Sequence, residues 1–463
     1  NGKKITASNE NTIINNGELN ITDTTENVGE MVSNNDTLIL NNENAILNIN
    51  NGNISFIVTK EKSLINNKGT VNINGGTINI NADNSNGIYN TGELSIKNGN
   101  LNAYNYGAKC IENIGTAVIE NGNLTKTSYY GVIDNCKDLY IKGGTIKNTN
   151  GNAIVNKVNT NNIGKIKMTG GIVQSTNGSE AINIYDNAEI DITDGEVISE
   201  GVGIHNYNKG KIKMTGGKIT TKREGIYNYN RDATGGEVTI EGGEISSREC
   251  SGIYNNSYYG YAYKTTVKVT GGEIKTESTN KDVAYSSGIY NAGVSEVILG
   301  ENDEGVPSKE SPKITGTTYG VYNVTANNKF YFYDGRITGK VGQSIYGKVT
   351  EMPTNYTIQK YKTGENENIE VAEGMESSIL ENTNVVRVES SQNTYIYLKE
   401  AIENAESTDT ITVLKDFIIP TNEEISTITS EKNITINLNG KKITASNENT
   451  IINNGELNIT DTT

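Results

Sequence analysis

The residues best able to carry chemistry are few and lie far apart in the sequence. The chain contains one histidine, His205, and three cysteines, Cys110, Cys136 and Cys250. No CxxC or Cys/His spacing among them predicts a metal site. The acidic turn GENDEG from Gly300 lacks the spaced ligands of a calcium loop. The sequence therefore predicts no catalytic residue, no metal site and no cofactor.

Tyrosine is the abundant residue type that could contact a partner. The chain has 26 tyrosines, four phenylalanines and no tryptophan. The segment NNSYYGYAYK from Asn255 is dense in tyrosine and falls in one of the longest repeats described below, which predicts a surface loop. We predict that Tyr258, Tyr259, Tyr261 and Tyr263 in this loop bind a partner. The alternative is a loop that only packs against the fold.

Short strands in a repeating pattern must position these side chains. From Asn11 to Gly347 a strand with alternating apolar residues, a Gly-Gly-like turn and a second such strand are followed by Gly-Ile-Tyr-Asn or a variant. Most repeats are 21 to 24 residues long. A period of this length with almost no proline is typical of a β-solenoid, in which each coil needs a neighbour above and below. The sequence predicts an all-β solenoid of about fourteen coils.

Alternation also predicts a column of inward-facing asparagines. Each follows an inward Ile or Val by two positions, so we interpret the column as a ladder of stacked, hydrogen-bonded amides. On this reasoning Asn228 is buried in the ladder, whereas Asn230 lies in a loop. The predicted members are Asn66, Asn90, Asn113, Asn156, Asn206, Asn228, Asn255, Asn291 and Asn323.

A second, aromatic column faces outward, because each member follows an inward aliphatic residue by one position. The members are His205, Tyr227, Tyr254, Tyr290, Tyr322 and Tyr346. Rings that recur at coil spacing have each other as partners, so self-stacking is favoured over binding sugar rings or a neighbouring molecule. His205 is therefore predicted to stack in this column and not to act as a general base.

The Gly-Gly-Thr-Ile and Gly-Ile-Tyr-Asn coils resemble those of the right-handed parallel β-helix of the pectate-lyase-like superfamily, and in particular those of large microbial surface adhesins. The resemblance implies a right-handed parallel β-helix. It also implies two kinds of function, because this fold carries polysaccharide lyases and hydrolases as well as non-catalytic surface proteins.

The C-terminal part of the sequence has a different organisation. We predict a parallel β-helix over 1–350, a connector over 351–394, a capping helix over 395–407 and the start of the next tandem unit over 408–463. Leu398, Ala401, Ile402 and Ala405 have the spacing of an amphipathic helix. The 25 residues from Asn1 to Thr25 recur without change from Asn439 to Thr463, which indicates duplication of a larger unit.

Charge and hydropathy narrow the possible partners. A net charge of -15 disfavours binding to nucleic acid. The sequence also contains no run of about 20 apolar residues of the kind that would predict membrane insertion. We predict a non-catalytic extracellular structural or adhesive protein of the cell surface, part of a fibre or filament. Its expected partners are other repeat units or rods, with host or matrix glycans or proteins as further candidates. The alternative is a carbohydrate-binding or carbohydrate-active β-helix protein, such as a polysaccharide lyase or hydrolase.

Overall fold

The computed structural model describes residues 3–7, 11–23, 29–33, 36–56, 62–230, 235–257, 264–279, 286–301, 307–308, 311–324, 327–362, 374–419, 426–445 and 450–462. The chain divides into two compact units. The first, which we call the solenoid unit, comprises Asn1–Glu351 and Lys360–Ile379. The second, which we call the C-terminal unit, comprises Met352–Gln359 and Leu380–Thr463.

Parallel strands from successive coils form three ladders in the solenoid unit. The first ladder is a sheet of fourteen strands among the described residues. Its strands are Ile13–Asn15, Ile39–Asn41, Ser63–Asn67, Asn86–Asn90, Lys109–Asn113, Ile133–Asn135, Ile154–Asn156, Ile182–Ile184, Ile204–Tyr207, Ile226–Asn230, Ile253–Ser257, Ser287–Ala292, Tyr319–Asn323 and Ile345–Tyr346.

The second and third ladders share two long strands, Lys165–Ser175 and Glu189–Ser199, and so form one large sheet. The other strands of the second ladder are Glu18–Ile21, Ile46–Ile49, Thr70–Ile73, Glu93–Ile96, Thr116–Ile119, Asp138–Ile141, Lys211–Met214, Glu237–Ile240, Thr265–Val269, Ser295–Leu299 and Lys329–Phe332. Those of the third ladder are Lys4–Ala7, Glu30–Ser33, Asn53–Phe56, Thr77–Ile80, Asn100–Ala103, Asn123–Lys126, Thr145–Asn148, Lys218–Thr221, Glu244–Ser247, Glu273–Thr276, Lys313–Gly316 and Arg336–Gly339. Two further strands follow, Tyr356–Lys362 and Glu376–Asn382.

Alternation of apolar and polar residues explains why these segments form stacked strands. In the second ladder Ile73, Ile96 and Ile119 lie in register on successive coils, and each is at most 1% exposed. The all-β parallel solenoid predicted from the repeats is confirmed. The fourteen strands of the first ladder match the predicted coil number for the solenoid unit. Two more coils in the C-terminal unit bring the described part of the chain to about sixteen coils, slightly more than predicted.

The Gly-Gly turns between the second and third ladders need their second glycine. Gly76, Gly144 and Gly217 have φ of 84°, 75° and 77°, in the left-handed region. A side chain there would also meet backbone of the preceding coil, since an added Cβ at Gly144 would lie 2.2 Å from the carbonyl oxygen of Gly122. Close stacking of the turns therefore explains the Gly-Gly signature.

An asparagine ladder runs along the first ladder of strands, as predicted. Each amide donates from Nδ2 to Oδ1 of the asparagine on the next coil, over 2.7 to 3.0 Å. The two runs of the ladder are Asn15, Asn41, Asn67, Asn90, Asn113, Asn135 and Asn156, then Asn206, Asn228, Asn255, Asn291 and Asn323.

Two details of the predicted ladder are wrong. Asn67, not Asn66, is the member on its coil, because the strand register pairs Asn67 with Asn41 and Asn90. Asn230 does not lie in a loop but in the strand Ile226–Asn230, where it is only 2% exposed. The neighbouring residues Leu64 and Ile65 are both apolar, so alternation alone could not decide which of the two asparagines after them faces inward.

The ladder is interrupted where Ile184 takes the asparagine position. Ile184 lies in register between Asn156 and Asn206. As a result, Asn206 Oδ1 is one of the buried polar atoms without a hydrogen-bond partner in the described part of the chain. A buried unpaired acceptor is unfavourable, so this coil is a weak point of the ladder.

The C-terminal unit contains the short helix predicted from the amphipathic spacing. It spans Leu398–Asn404, shorter than the predicted 395–407, because Ala405 has extended backbone. Leu398, Ala401 and Ile402 are buried among apolar residues of the same unit. Lys432 Nζ donates to the carbonyl oxygens of Ile402 and Glu403 at 2.8 and 2.9 Å, which satisfies acceptors at the helix C-terminus. The strands of this unit are Val386–Val388, Thr394–Tyr395, Thr410–Val413, Phe417–Ile419, Ser426–Ile428, Asn433–Asn437, Ile443–Ala445, Ile451–Asn453 and Glu456–Thr460.

Replacing Asn228 with leucine, a side chain of similar size, tests the ladder. The change removes the bonds to Asn206, to Asn255 and to the carbonyl oxygen of Gly236. We expect the free energy of unfolding to fall by about 1 to 3 kcal/mol, because the partners stay buried and unpaired. The same substitution at the exposed Asn100 is the control and should change it by less than about 0.5 kcal/mol. Equal shifts of the two urea midpoints would show that the ladder adds no stability.

Replacing Ile184 with asparagine tests the interruption. The new amide can accept from Asn156 and donate to the unpaired Oδ1 of Asn206, which offsets the loss of a buried aliphatic side chain. We expect a change in unfolding free energy within about 1 kcal/mol. Ile182→Asn in the same strand is the matched control, since both isoleucines are 0% exposed, and it should cost about 3 kcal/mol or more. Similar losses for both variants, measured by urea denaturation, would contradict this account.

Candidate ligand-binding surface

The predicted binding residues Tyr258, Tyr259, Tyr261 and Tyr263 lie outside the described residues. The strand Ile253–Ser257 leads into that segment, and Lys264 follows it. Their role in binding stays a prediction.

The outward aromatic column stacks on itself, as predicted. The ring centroids of Tyr227 and Tyr254 are 4.7 Å apart with the rings 6° from parallel. Tyr254 and Tyr290 are 4.9 Å apart, and Tyr322 and Tyr346 are 4.4 Å apart. Most ring faces in the column are therefore covered by the neighbouring ring, and only the last member, Tyr346, is 42% exposed.

His205 lies at the start of this column and is covered by Tyr207 of its own strand and by the edge of Tyr227. Its ring lies 3.6 Å from Tyr207 and 4.8 Å from Tyr227, centroid to centroid, and the residue is 8% exposed. Nδ1 lies 3.4 Å from Glu180 Oε1, and this hydrogen bond is the main reason that the pKa of Glu180 is lowered. The contacts agree with the predicted stacking role.

A different group of tyrosines leaves its rings open to solvent. Tyr104, Tyr106, Tyr129 and Tyr130 are 45%, 54%, 64% and 52% exposed. They lie in the turns before the first-ladder strands of two successive coils, and we call them the tyrosine patch. The rings of Tyr106 and Tyr130 meet edge to face at 5.3 Å, with their hydroxyl oxygens 3.1 Å apart. This hydrogen bond is the main cause of the raised pKa of the Tyr106 phenol.

A polar groove of about 530 Å³ borders the tyrosine patch at Tyr130. In its floor Asp134 Oδ2 lies 3.1 Å from Lys109 Nζ and 2.8 Å from Lys157 Nζ. Lys109 also lies 3.5 Å from Glu112 Oε2. Burial lowers the pKa of Lys157, but the charge and hydrogen bond of Asp134, together with the nearby Cys136 and Glu112, oppose it, and the pKa is raised. The groove thus presents ammonium and carboxylate groups side by side, with an aromatic ring at its rim.

Comparison with known proteins identified no relative of this chain. No protein-family model, curated protein or solved structure matches the chain. The resemblance of the coils to those of β-helix surface proteins rests on the coil motifs alone.

A buried lysine lies beneath the tyrosine patch. Lys126 is 0% exposed, and its Nζ donates to the carbonyl oxygens of Ala108 and Gly131 and lies 5.9 Å from the centroid of the Tyr130 ring. Burial lowers the pKa of Lys126 to about 8, although the neighbouring Cys110 opposes this shift. A charged group at this place is costly, because an ammonium ion loses most of its hydration when buried.

Sequence reasoning missed the tyrosine patch and Lys126, although the signals were present. The segments AYNYG and SYYG occur one coil apart, from Ala103 and Ser128, just before first-ladder strands. In the strand Asn123–Lys126 alternation puts Lys126 on the inward side together with Leu124. The usual expectation that lysine faces solvent hid this signal.

The other candidate sites give weaker support for ligand binding. A second groove of about 460 Å³ lies on the second ladder, where Lys167, Asp191 and Lys213 form its wall beside Tyr140.

The part of the chain that the structure describes has no cluster of acidic, His or Cys side chains able to hold a metal ion. It also has no helix long and apolar enough to cross a membrane. The three cysteines are buried and free, and in the acidic turn Glu301 pairs with Lys268 at 2.6 Å, while Asp303 and Glu304 lie outside the described residues.

Replacing Lys126 with methionine tests the buried charge. The folded-state pKa of about 8 lies below the ordinary 10.5, so the unfolded chain binds more protons between these pH values. Raising the pH through this window should therefore stabilise the wild type relative to Lys126→Met, by roughly 3 kcal/mol in all. The measurement is urea unfolding of both proteins from pH 7 to 10.5.

The control for this experiment is Lys142→Met, because Lys142 is exposed. Its unfolding free energy should follow that of the wild type across the same pH range. A curve for Lys126→Met that also runs parallel to the wild type would show that Lys126 is not a buried ammonium ion.

Proposed function

We propose that this chain is a non-catalytic, extracellular structural or adhesive segment of a cell-surface fibre, built from tandem solenoid units. The proposal joins three features: a solenoid in which coils stack without large cores, a 25-residue segment that occurs twice, and coil motifs that resemble those of large microbial surface adhesins. Homotypic contacts between units or rods are the expected partners.

The observation that carries the proposal is the behaviour of the duplicated segment. Its first copy forms the strands Lys4–Ala7, Ile13–Asn15 and Glu18–Ile21. Its second copy forms Ile443–Ala445, Ile451–Asn453 and Glu456–Thr460, at nearly the same places in the segment.

The second copy is stacked on a preceding coil. Ile443 pairs in parallel with Phe417, Ile451 with Ser426, and Glu456 with Asn433. The helix Leu398–Asn404 packs beside this coil stack within the C-terminal unit. The same 25 residues thus serve as one coil in each of two stacks, which is what a tandem array of solenoid units requires.

A carbohydrate-binding or carbohydrate-active protein is the second candidate. The observation that favours binding is the tyrosine patch beside the polar groove, because exposed aromatic rings next to hydrogen-bonding groups suit sugar rings. We propose binding without turnover, since Asp134 and Glu112 already bond to lysines. Release of shorter products from a polysaccharide by the purified chain would instead support a lyase or hydrolase.

The proposed function is tested by intact mass and electron microscopy of the native protein at the cell surface. We expect a mass several times the 50.1 kDa of this chain and a filament with an axial repeat of roughly 70 to 100 Å, from about 4.8 Å per coil plus connectors. A native protein of one unit, with no periodic assembly, would contradict the tandem-fibre function.

A further inference from the structure

Tyr130 has a backbone conformation that tyrosine rarely adopts. Its φ is 74°, in the left-handed region, which is strained for a bulky side chain. The turns that enter the strands Asn86–Asn90 and Lys109–Asn113 place Asn84 and Gly107 at their positive-φ positions, with φ of 50° and 70°. Asparagine and glycine tolerate this conformation, so tyrosine at position 130 is less favourable than the residues at positive φ in these two turns.

The surrounding structure holds Tyr130 in place. Its carbonyl oxygen accepts from Asn148 Nδ2 at 2.7 Å. An added Cβ at Gly151 would lie 3.1 Å from the Tyr130 nitrogen and oxygen, so the next coil packs tightly over this backbone. Beneath it, the buried Lys126 bonds to Gly131. Neighbouring coils put Ala103 and Asn148 at the Lys126 position, so the solenoid does not need a charge here.

Two unfavourable features thus meet under one exposed ring. Strain that surrounding contacts enforce is found mostly at ligand-binding and catalytic sites, where it fixes a side chain in its working position. The 52% exposure of Tyr130 shows that its ring adds little core packing in return. The strained turn therefore points to a role in binding.

We propose that the tyrosine patch and the adjoining groove form a preorganised binding site for a neutral saccharide. This names a ligand class for the adhesive function and rests on that proposed function. Tyr130 and Tyr106 supply ring surface for the C–H face of a sugar, and the groove supplies hydrogen bonds to its hydroxyl groups. Lys126 contacts both turns that carry the rings, through the carbonyl oxygens of Ala108 and Gly131.

The charge balance of the groove selects a neutral ligand over a charged one. Lys109 and Lys157 pair with Asp134, Lys109 also pairs with Glu112, and Lys62 pairs with Asp36 at 3.3 Å. A phosphate or uronate would have to displace a carboxylate from a lysine. A hydroxyl group can instead donate to a carboxylate and accept from an ammonium group, and such charge-assisted bonds are the stronger ones. The Asn86 amide, which donates to Glu112 at 2.9 Å, adds a further polar group.

The decisive variant is Tyr130→Asn. Asparagine removes the ring but suits positive φ, as Asn84 does in an equivalent turn. We expect the urea midpoint to stay the same or rise, while saccharide affinity falls at least tenfold. Tyr140→Asn is the matched control, because Tyr140 is 37% exposed and borders the other groove, and it should leave the affinity unchanged. A purely structural Tyr130 would give the opposite result, a lower midpoint with no effect on binding.

The probes are hexasaccharides of β-linked glucose and of β-linked N-acetylglucosamine, with hexagalacturonate and a tyrosine-free acidic peptide as comparisons. Saturation-transfer NMR at millimolar ligand detects weak binding. Binding of either neutral probe that Tyr130→Asn abolishes supports the site. Absence of binding by both neutral probes, tighter binding of a charged probe, or binding that Tyr140→Asn removes instead would overturn it. Each of these failures leaves the tandem-fibre function standing, because mass and electron microscopy test that function separately.

Discussion

No coil of this protein can be stable by itself, and this constraint governs the rest of the structure. A coil of about two dozen residues has three short strands whose hydrogen-bonding edges and inward side chains are satisfied only by the coils on either side. The consequence is strict register between coils. Ile73, Ile96 and Ile119, for example, stack directly on one another. Every other feature of the fold has to fit the coil spacing or interrupt it.

The asparagine ladder follows from this spacing. Where the chain turns between the first and second ladders, backbone groups point into the interior and need partners. An asparagine on each coil can bond both to the next asparagine and to turn carbonyls, as Asn90 does with Asn113 and with the carbonyl oxygens of Gly92 and Thr116. The same cooperation makes a missing member costly, because Ile184 leaves Asn206 with an unpaired buried oxygen.

The tyrosine patch departs from the regular pattern of the coils. Along the aromatic column the outward rings cover one another, and in the rest of the described chain the residues at positive φ are mostly glycine and asparagine. At Tyr130 an exposed ring, a left-handed backbone and a buried lysine coincide. Local conflicts of this kind are expected where a site is built on a fold that is otherwise locally consistent. A regular stack of coils gives such a site rigid support.

The sequence by itself determined the fold class, the approximate coil number, the Gly-Gly turns, the self-stacked aromatic column and most of the asparagine ladder. It could do so because period-2 alternation and coil spacing are local properties that recur many times. Where the local pattern is ambiguous the prediction failed, as for Asn66, whose preceding residues are both apolar, and for Asn230, because its strand continues past the Gly-Ile-Tyr-Asn motif.

Only the tertiary structure decided which polar groups meet across coils. The bonds from Lys126 to two turns, the pairing of Asp134 with Lys109 and Lys157, and the positive φ of Tyr130 join residues that lie on different coils or depend on how one turn packs on the next. Insertions change the coil length from one repeat to the next, so sequence spacing does not give the register of such turns. The candidate site consists of these contacts, and for that reason the sequence did not reveal it.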